Sequence, residues 1–181
     1  MNNHNVSNPH PTLHSKEKVI FSMNRDQLNQ YYRPLHLQAQ ELHAILTQFL
    51  DYPIQMGWFN GHYTIDDHGG LKMDYYPIPV ISIMGLCDLE LDQNQINLTS
   101  KLSRQQALNF DYSLLTSWPY TVYPVEDFLL TLDASNPDRL RTAIQANPED
   151  EFAVSICLPS DIVPEDLISF LTQLDDWGFY Y

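Results

Sequence analysis

The stretch from Pro77 to Asp92 constrains the fold most, because its side chains alternate in character over the length of a long β-strand. The odd-numbered positions in its later part are all apolar or small: Ile81, Ile83, Gly85, Cys87, Leu89 and Leu91. The even-numbered positions begin apolar and finish with the acids Asp88, Glu90 and Asp92. Successive side chains of a strand point to opposite faces. We therefore expect a single strand with one face buried throughout and the other face reaching water at its end.

Residues 56–102 are predicted to form an antiparallel meander that includes this strand. Turn-forming residues at Asp66–Gly70 and at Gln93-Asn94 would separate neighbouring strands. The register that keeps the apolar residues on one face pairs Leu91 with Ile96, Leu89 with Leu98, and Asp88 with Thr99. A nearly unbroken apolar run at 152–158 predicts one more strand, covered on both of its faces.

Helical signals lie on both sides of the meander. Helices are predicted from Asn24 or Asp26 to Tyr32, from Pro34 to Leu50, from the capping box Ser103–Gln106 to Asn109, from Asn136 to Asn147, and from Pro164 to Asp175. Residues 125–133 suit either a helix or a strand. This order of elements indicates an α+β fold, in which the helices pack mainly on one face of a mostly antiparallel sheet.

The two ends of the chain are predicted to behave differently. Residues 1–23 largely lack hydrophobic periodicity and are expected to form a largely disordered tail, which leaves residues 24–181 as a single domain. The aromatic-rich segment 177–181 follows a helix that Gly178 can end. Because burying each aromatic ring is favourable by about 1.5–3 kcal/mol, we expect this segment to dock on the sheet of its own chain. The alternative is a two-fold interface, so the sequence is compatible with a monomer or a homodimer.

The charge balance restricts the classes of partner. The chain has 23 acidic and 9 basic residues, and its formal net charge at pH 7 is −14. Residues 111–181 carry 13 of the acidic residues and two of the basic ones. Nucleic acids and anionic membranes both require a basic surface, so we expect no nucleic acid and no membrane as a partner. A basic protein would fit this charge.

The two cysteines, Cys87 and Cys157, both lie in apolar, strand-like runs. The residues at the start of the sequence do not form a secretory signal pattern. We therefore expect two free thiols in the core and a reducing, cytoplasmic location.

Motifs that carry chemistry are scarce. The sequence contains no phosphate-binding glycine loop, no nucleophile elbow and no H-E-x-x-H motif. The best remaining group is His62, Asp66 and His68, because two imidazoles and a carboxylate suit zinc or iron. The same stretch also suits a hairpin turn, since Asp-Asp-His-Gly-Gly accepts positive φ angles. We predict no cofactor.

Two hypotheses about function follow. The first is a non-catalytic cytoplasmic binding protein that presents an acidic, aromatic-rich surface to a protein partner, which would be basic. The alternative is a small-molecule or metal-binding enzyme with a pocket between the sheet and the helices. The candidate binding residues of that pocket are His62, Asp66, His68, Tyr75 and Tyr76.

Overall fold

The computed structural model describes residues 25–59, 62–65, 68, 71–74 and 78–181. The chain divides into two units, Met1–Pro34 and Leu35–Tyr181. In the first unit, the described residues are the beginning of one helix. The predicted tail at 1–23 lies outside the described residues, so the predicted domain boundary stays a prediction.

The described residues form eight strands and four α-helices. The strands are β1 (Ile54–Phe59), β2 (His62–Ile65), β3 (Leu71–Asp74), β4 (Ile78–Ile83), β5 (Cys87–Leu91), β6 (Gln95–Ser103), β7 (Tyr120–Pro124) and β8 (Glu151–Pro159). The helices are α1 (Arg25–Phe49), α2 (Arg104–Asn109), α3 (Pro137–Ala146) and α4 (Pro164–Asp176), with a 3₁₀ helix at Tyr112–Leu115. Six strands form an antiparallel sheet in the order β1-β4-β5-β6-β8-β7, and β2 pairs with β3 in a separate hairpin. The predicted α+β fold with a mostly antiparallel sheet is confirmed.

The predicted single strand at Pro77–Asp92 is wrong, because the chain reverses at Gly85. Strands β4 and β5 pair antiparallel, with Ile83 opposite Cys87 and Ile81 opposite Leu89. Gly85 has a φ of +84°, a conformation that glycine adopts without steric cost. Because the turn has three residues, odd-numbered residues of β4 pair with odd-numbered residues of β5 and lie on the same face. The apolar alternation therefore continues across the turn, and the sequence pattern does not reveal that the chain reverses.

The predicted register is confirmed for β5 and β6. Strand β5 pairs with β6 so that Leu91 lies opposite Ile96, Leu89 opposite Leu98, and Asp88 opposite Thr99. The predicted strand at 152–158 is β8, which pairs with β6 on one side and β7 on the other. Its second face is only partly covered, because Ser155 and Cys157 remain half-exposed.

The prediction of two helices on either side of Pro34 is wrong, because helix α1 spans both. It runs without a break from Arg25 to Phe49, with Pro34 inside it. Proline in a helix interior removes one backbone hydrogen bond and costs about 3 kcal/mol, but its φ is compatible with the helix. Burial of the stripe that follows offsets that cost, and its buried members are Leu35, Ala39, Leu42 and Leu46. Phe49, the last residue of the helix, is 62% exposed.

The hydrophobic core lies between the helices and one face of the sheet. That face contributes alternate residues of each central strand, among them Ile81, Leu89, Leu98 and Val154, all fully buried. The opposite face carries half-buried residues that are largely polar, and we call it the polar face: Ser82, Asp88, Glu90, Asn97, Thr99, Lys101 and Ser155. The acids predicted to reach water at the end of the long strand are thus on the polar face.

Segment 125–133 forms neither of the two predicted structures. Strand β7 ends at Pro124, and the following residues form consecutive turns rather than a helix or a strand. Before β7, the 3₁₀ helix Tyr112–Leu115 begins at Asp111, whose side chain accepts a hydrogen bond from the Ser113 amide. The predicted starts of helices α2 and α3 are confirmed, with Ser103 and Asn136 as their N-caps.

Candidate interaction surface

The residues predicted to form a site lie mostly outside the described part of the chain. Asp66, Tyr75 and Tyr76 are not described. His62 is the first residue of β2 and is paired with Asp74, and His68 is exposed in the turn. Where the structure does describe the chain, no group of three or more His, Cys, Asp or Glu side chains could hold a metal ion. This candidate site therefore stays a prediction.

The cysteines are not disulfide-bonded. Cys87 is fully buried in the core, and burial raises the pKa of its thiol well above the ordinary value, with the neighbouring Asp88 adding to the effect. Because a thiolate is the reactive form, Cys87 is chemically inert at neutral pH. Cys157 does not lie in the core as predicted, because it is half-buried on the polar side of β8, opposite Asn97, with its Sγ 2.8 Å from Gln95 Oε1.

The segment after helix α4 docks on the sheet, as predicted. Gly178, with a φ of +89°, ends the helix. Tyr180 then pairs antiparallel with Lys101, with N–O distances of 2.7 and 3.0 Å between their backbones. Strand β5 pairs with β6 only from Ile96 to Thr99, so the part of β6 after Thr99 has no strand on that side. The C-terminal segment occupies this place. The Tyr181 amide donates to Gly85 O at 3.2 Å, which joins this segment to the β4–β5 turn.

Three tyrosines lie at this end of the sheet, and we call Tyr123, Tyr180 and Tyr181 the tyrosine cluster: Tyr123 pairs with Ala153 of β8, Tyr180 pairs with Lys101, and Tyr181 follows it. The Tyr180 hydroxyl donates to Glu151 Oε2 at 2.5 Å. Burial raises the pKa of Tyr180 to about 12, and the hydrogen bond to Glu151 and its charge act in the same direction. Burial also raises the pKa of Tyr181 to about 12, with the charge of Asp88 as the next cause. Both phenols are therefore protonated at neutral pH and can donate hydrogen bonds.

A cation already lies against one ring of the cluster. Lys101 Nζ is 5.1 Å from the centre of the Tyr181 ring, within the range of a cation–π interaction. The Tyr181 side chain itself is 47% exposed. This end of the polar face thus combines a partly exposed aromatic ring with the carboxylates of Asp88 and Glu151.

Beside the cluster lies the segment Val125–Asp133, which we call the 125–133 loop. The Val125 amide donates to Glu151 O at 3.1 Å, so the loop starts next to the partner of Tyr180. Two turns follow, in which the Asp127 amide donates to Pro124 O and the Leu130 amide to Asp127 O, each at 3.1 Å. Leu132 closes the loop, because its side chain is buried and its amide donates to Val122 O at 2.9 Å.

Between these anchors the loop exposes large apolar side chains. Phe128 is 72% exposed, Leu129 83% and Leu130 43%. The acids Glu126 and Asp127 precede them and are exposed too. The backbone hydrogen bonds hold this apolar group outward in a defined conformation. The sequence analysis did not predict this surface, because a Phe-Leu-Leu run usually indicates burial. The acids Glu126 and Asp127 beside the run were the sequence feature that could have indicated exposure.

The fold defines the class of protein: a mixed α+β chain whose antiparallel sheet is covered by helices on one face. No protein-family model matches the chain, and no curated protein matches it. Among solved structures, a conserved hypothetical protein from Pyrococcus furiosus is similar, with 15% identity over 83% of this chain and 92% of that chain and a TM-score of 0.55. At this identity the likeness shows the fold alone. Across the described residues, no helix has the length and apolar character needed to cross a membrane.

Proposed function

We propose that this protein is a non-catalytic interaction module of the cytoplasm, and that the 125–133 loop is its main contact. The partner is a protein with an apolar pocket that receives Phe128 and Leu129. Lysine or arginine residues around that pocket meet the acids beside the loop. The two free cysteines support the cytoplasmic part of the proposal, since thiols persist in reducing compartments.

The observation that carries the proposal is the exposure of Phe128 and Leu129, at 72% and 83%. Isolated exposed apolar residues are ordinary, but neighbouring ones on a fixed backbone mark interaction sites. Covering each of these side chains on association is favourable by about 1.5–3 kcal/mol. A preorganised loop also loses little conformational entropy on binding.

Charge supports a basic partner. Glu126, Asp127 and Asp133 lie along the loop and are exposed, and Glu151 lies at its start. The formal net charge of −14 adds a long-range field of the same sign. Such a field speeds the approach of a basic partner and weakens as salt increases.

A comparative capture experiment tests the proposal. The immobilised protein, a Phe128→Ser/Leu129→Ser variant and a Leu114→Ser control are incubated with native cytosol, and bound proteins are quantified. Leu114 is a suitable control because it is 43% exposed but lies on the 3₁₀ helix. We expect a protein that the wild type and the control enrich at least about tenfold over the double variant, the equivalent of about 1.4 kcal/mol.

The same bound protein should be released as NaCl is raised from about 50 to 300 mM, where surface charges are screened. The proposal is wrong if every enriched protein binds the double variant as well as the wild type. Retention that does not respond to salt would contradict the basic character of the partner.

A further inference from the structure

A groove lies between the end of strand β8 and helix α4, away from the 125–133 loop. Its volume is about 460 Å³, within the range of roughly 300–1,000 Å³ found for small-ligand sites. Trp118 and Phe170 form apolar lining, with ring centres 4.6 Å apart and planes inclined at 61°. Asp161 and Asp166 add carboxylates to the same lining. One concave site thus combines an aromatic surface with two negative charges.

Local structure fixes both walls of the groove. On one wall, the Ile162 amide donates to Pro159 O at 3.1 Å, which forms a turn that presents Asp161. The other wall is a stripe of helix α4, because Asp166, Ser169 and Gln173 are three and four residues apart and share one helical face. Neither of the ion pairs Arg139–Asp133 and Arg141–Asp138 involves a groove carboxylate.

The charge of the groove favours a cation. The N-terminus of helix α4 contributes a partial positive charge of about half a unit. Asp161 and Asp166 contribute two full negative charges, so the sum at neutral pH is negative. A bare metal ion does not suit the site, because much of the lining is apolar and two carboxylates fall short of the six to eight oxygen ligands of a calcium site.

We propose that this groove binds the arginine side chain of a protein partner. The aliphatic part of arginine would lie on Ile162 and Val163, and the planar guanidinium would stack on the Trp118 ring. Guanidinium groups stack on aromatic faces and donate in a fork that matches a carboxylate. Asp166 and Asp161 accept those hydrogen bonds, and Gln173 offers its amide oxygen beside them. This binding site is separate from the 125–133 loop and does not depend on the proposed function.

The test uses N-acetyl-arginine amide as the probe and follows the indole N–H signals of the three tryptophans by NMR. A Trp118→Phe variant assigns the Trp118 signal. We expect the Trp118 signal to shift and to saturate with a dissociation constant of the order of 1 mM, as befits a single side chain. N-acetyl-citrulline amide has nearly the same shape without the charge, and we expect it to bind at least about fivefold more weakly.

Variants identify the carboxylates. Asp161→Asn and Asp166→Asn should each weaken the arginine probe by about three- to fivefold, the upper range for a partly exposed ion pair. Asp150→Asn is the matched control, because Asp150 is an exposed acid outside the groove lining, and it should leave binding unchanged. The Phe128→Ser/Leu129→Ser variant should also bind the probe normally, which separates this site from the loop.

Three results would overturn the proposal. One is a Trp118 signal that does not move at about 20 mM probe, well above the expected constant. Another is equal binding of the arginine and citrulline probes. The last is an equal loss of binding in Asp150→Asn and in the two groove variants, because binding would then respond only to net charge.

Discussion

Ser100 stands out at the level of single residues, because it is a fully buried polar side chain in an otherwise apolar stripe of β6. Its hydroxyl donates to Leu86 O at 2.6 Å, and its oxygen lies 3.1 Å from Tyr180 O. A buried carbonyl without a donor would cost about 1–3 kcal/mol. Ser100 thus supports the β4–β5 turn at the place where the C-terminal segment joins the sheet.

Tyr180 gives a prediction about pH at the same scale. Its pKa is raised from 10.0 to about 12, so the folded state favours the protonated phenol. The stabilisation is complete below the unfolded pKa of 10.0 and is lost as the pH rises through the folded value of about 12. Tyr180→Phe should therefore lower the free energy of unfolding by about 1 kcal/mol at pH 8, and by progressively less above pH 10.

Urea unfolding of wild type and Tyr180→Phe at pH 8, 10 and 11 measures this difference. Comparing the two proteins cancels the other tyrosines, including Tyr181, that titrate in the same range. A difference that stays constant across the pH series would show that folding does not raise the pKa of Tyr180.

At the scale of elements, the alternation of apolar and polar residues predicted which strands pair, but it did not predict where the chain turns. The pairing of β5 with β6 followed from the need to keep Leu89 and Leu98 on one face. The turn at Gly85 could not be predicted in this way, because a three-residue turn leaves the apolar alternation unchanged. Likewise, the apolar character of Phe128 does not reveal exposure, since burial depends on which surfaces the rest of the chain supplies.

The docked C-terminal segment gives a prediction at this scale. Phe179 is 3% exposed and its ring centre lies 5.2 Å from that of Phe110. Phe179→Ala should lower the free energy of unfolding by about 3–5 kcal/mol, through lost burial and a cavity. Tyr181→Ala is the matched control, because the 47% exposed ring of Tyr181 should contribute less than about 1 kcal/mol.

Denaturant unfolding and the hydrodynamic radius are the two measurements. We expect the radius of Phe179→Ala to equal that of the wild type, because Phe179 packs within its own chain. A change from dimer to monomer would contradict docking in cis, and so would equal destabilisation by the two variants.

At the scale of the whole molecule, the net charge of −14 acts against the compact state. The carboxylates of residues 111–181 outnumber the basic groups by 13 to two, so they repel one another. Raising NaCl from about 20 to 300 mM shortens the screening length to below about 10 Å. We expect the melting temperature to rise by a few degrees, as measured by differential scanning calorimetry.

Potassium fluoride at matched ionic strength is a suitable control, because it screens without chloride. A melting temperature that is flat or falls in both salts would mean that ion pairs, rather than repulsion, dominate the surface.

The class of the fold and the acidic character followed from the sequence at this scale, whereas the position of a site did not. The candidate group His62, Asp66 and His68 rested on neighbours in sequence. The 125–133 loop and the groove both bring together distant segments, such as Val125 with Glu151 and Trp118 with Phe170. Such proximity is a product of tertiary packing, and no local pattern encodes it.

The pairing of the C-terminal segment with β6 also sets an order of events during folding. Ser100 and Tyr180 are 80 positions apart in the chain. Contacts between such distant residues pay a large loop-closure entropy and raise the contact order, which slows folding. The β4–β5 and β5–β6 hairpins are local and can form early. The pairing of Tyr180 with Lys101 can form only after helix α4 has brought the C-terminal segment to the sheet. Before the C-terminal segment docks, the backbone groups of Lys101 that pair with Tyr180 have no strand beside them, and such an open edge can pair with another chain.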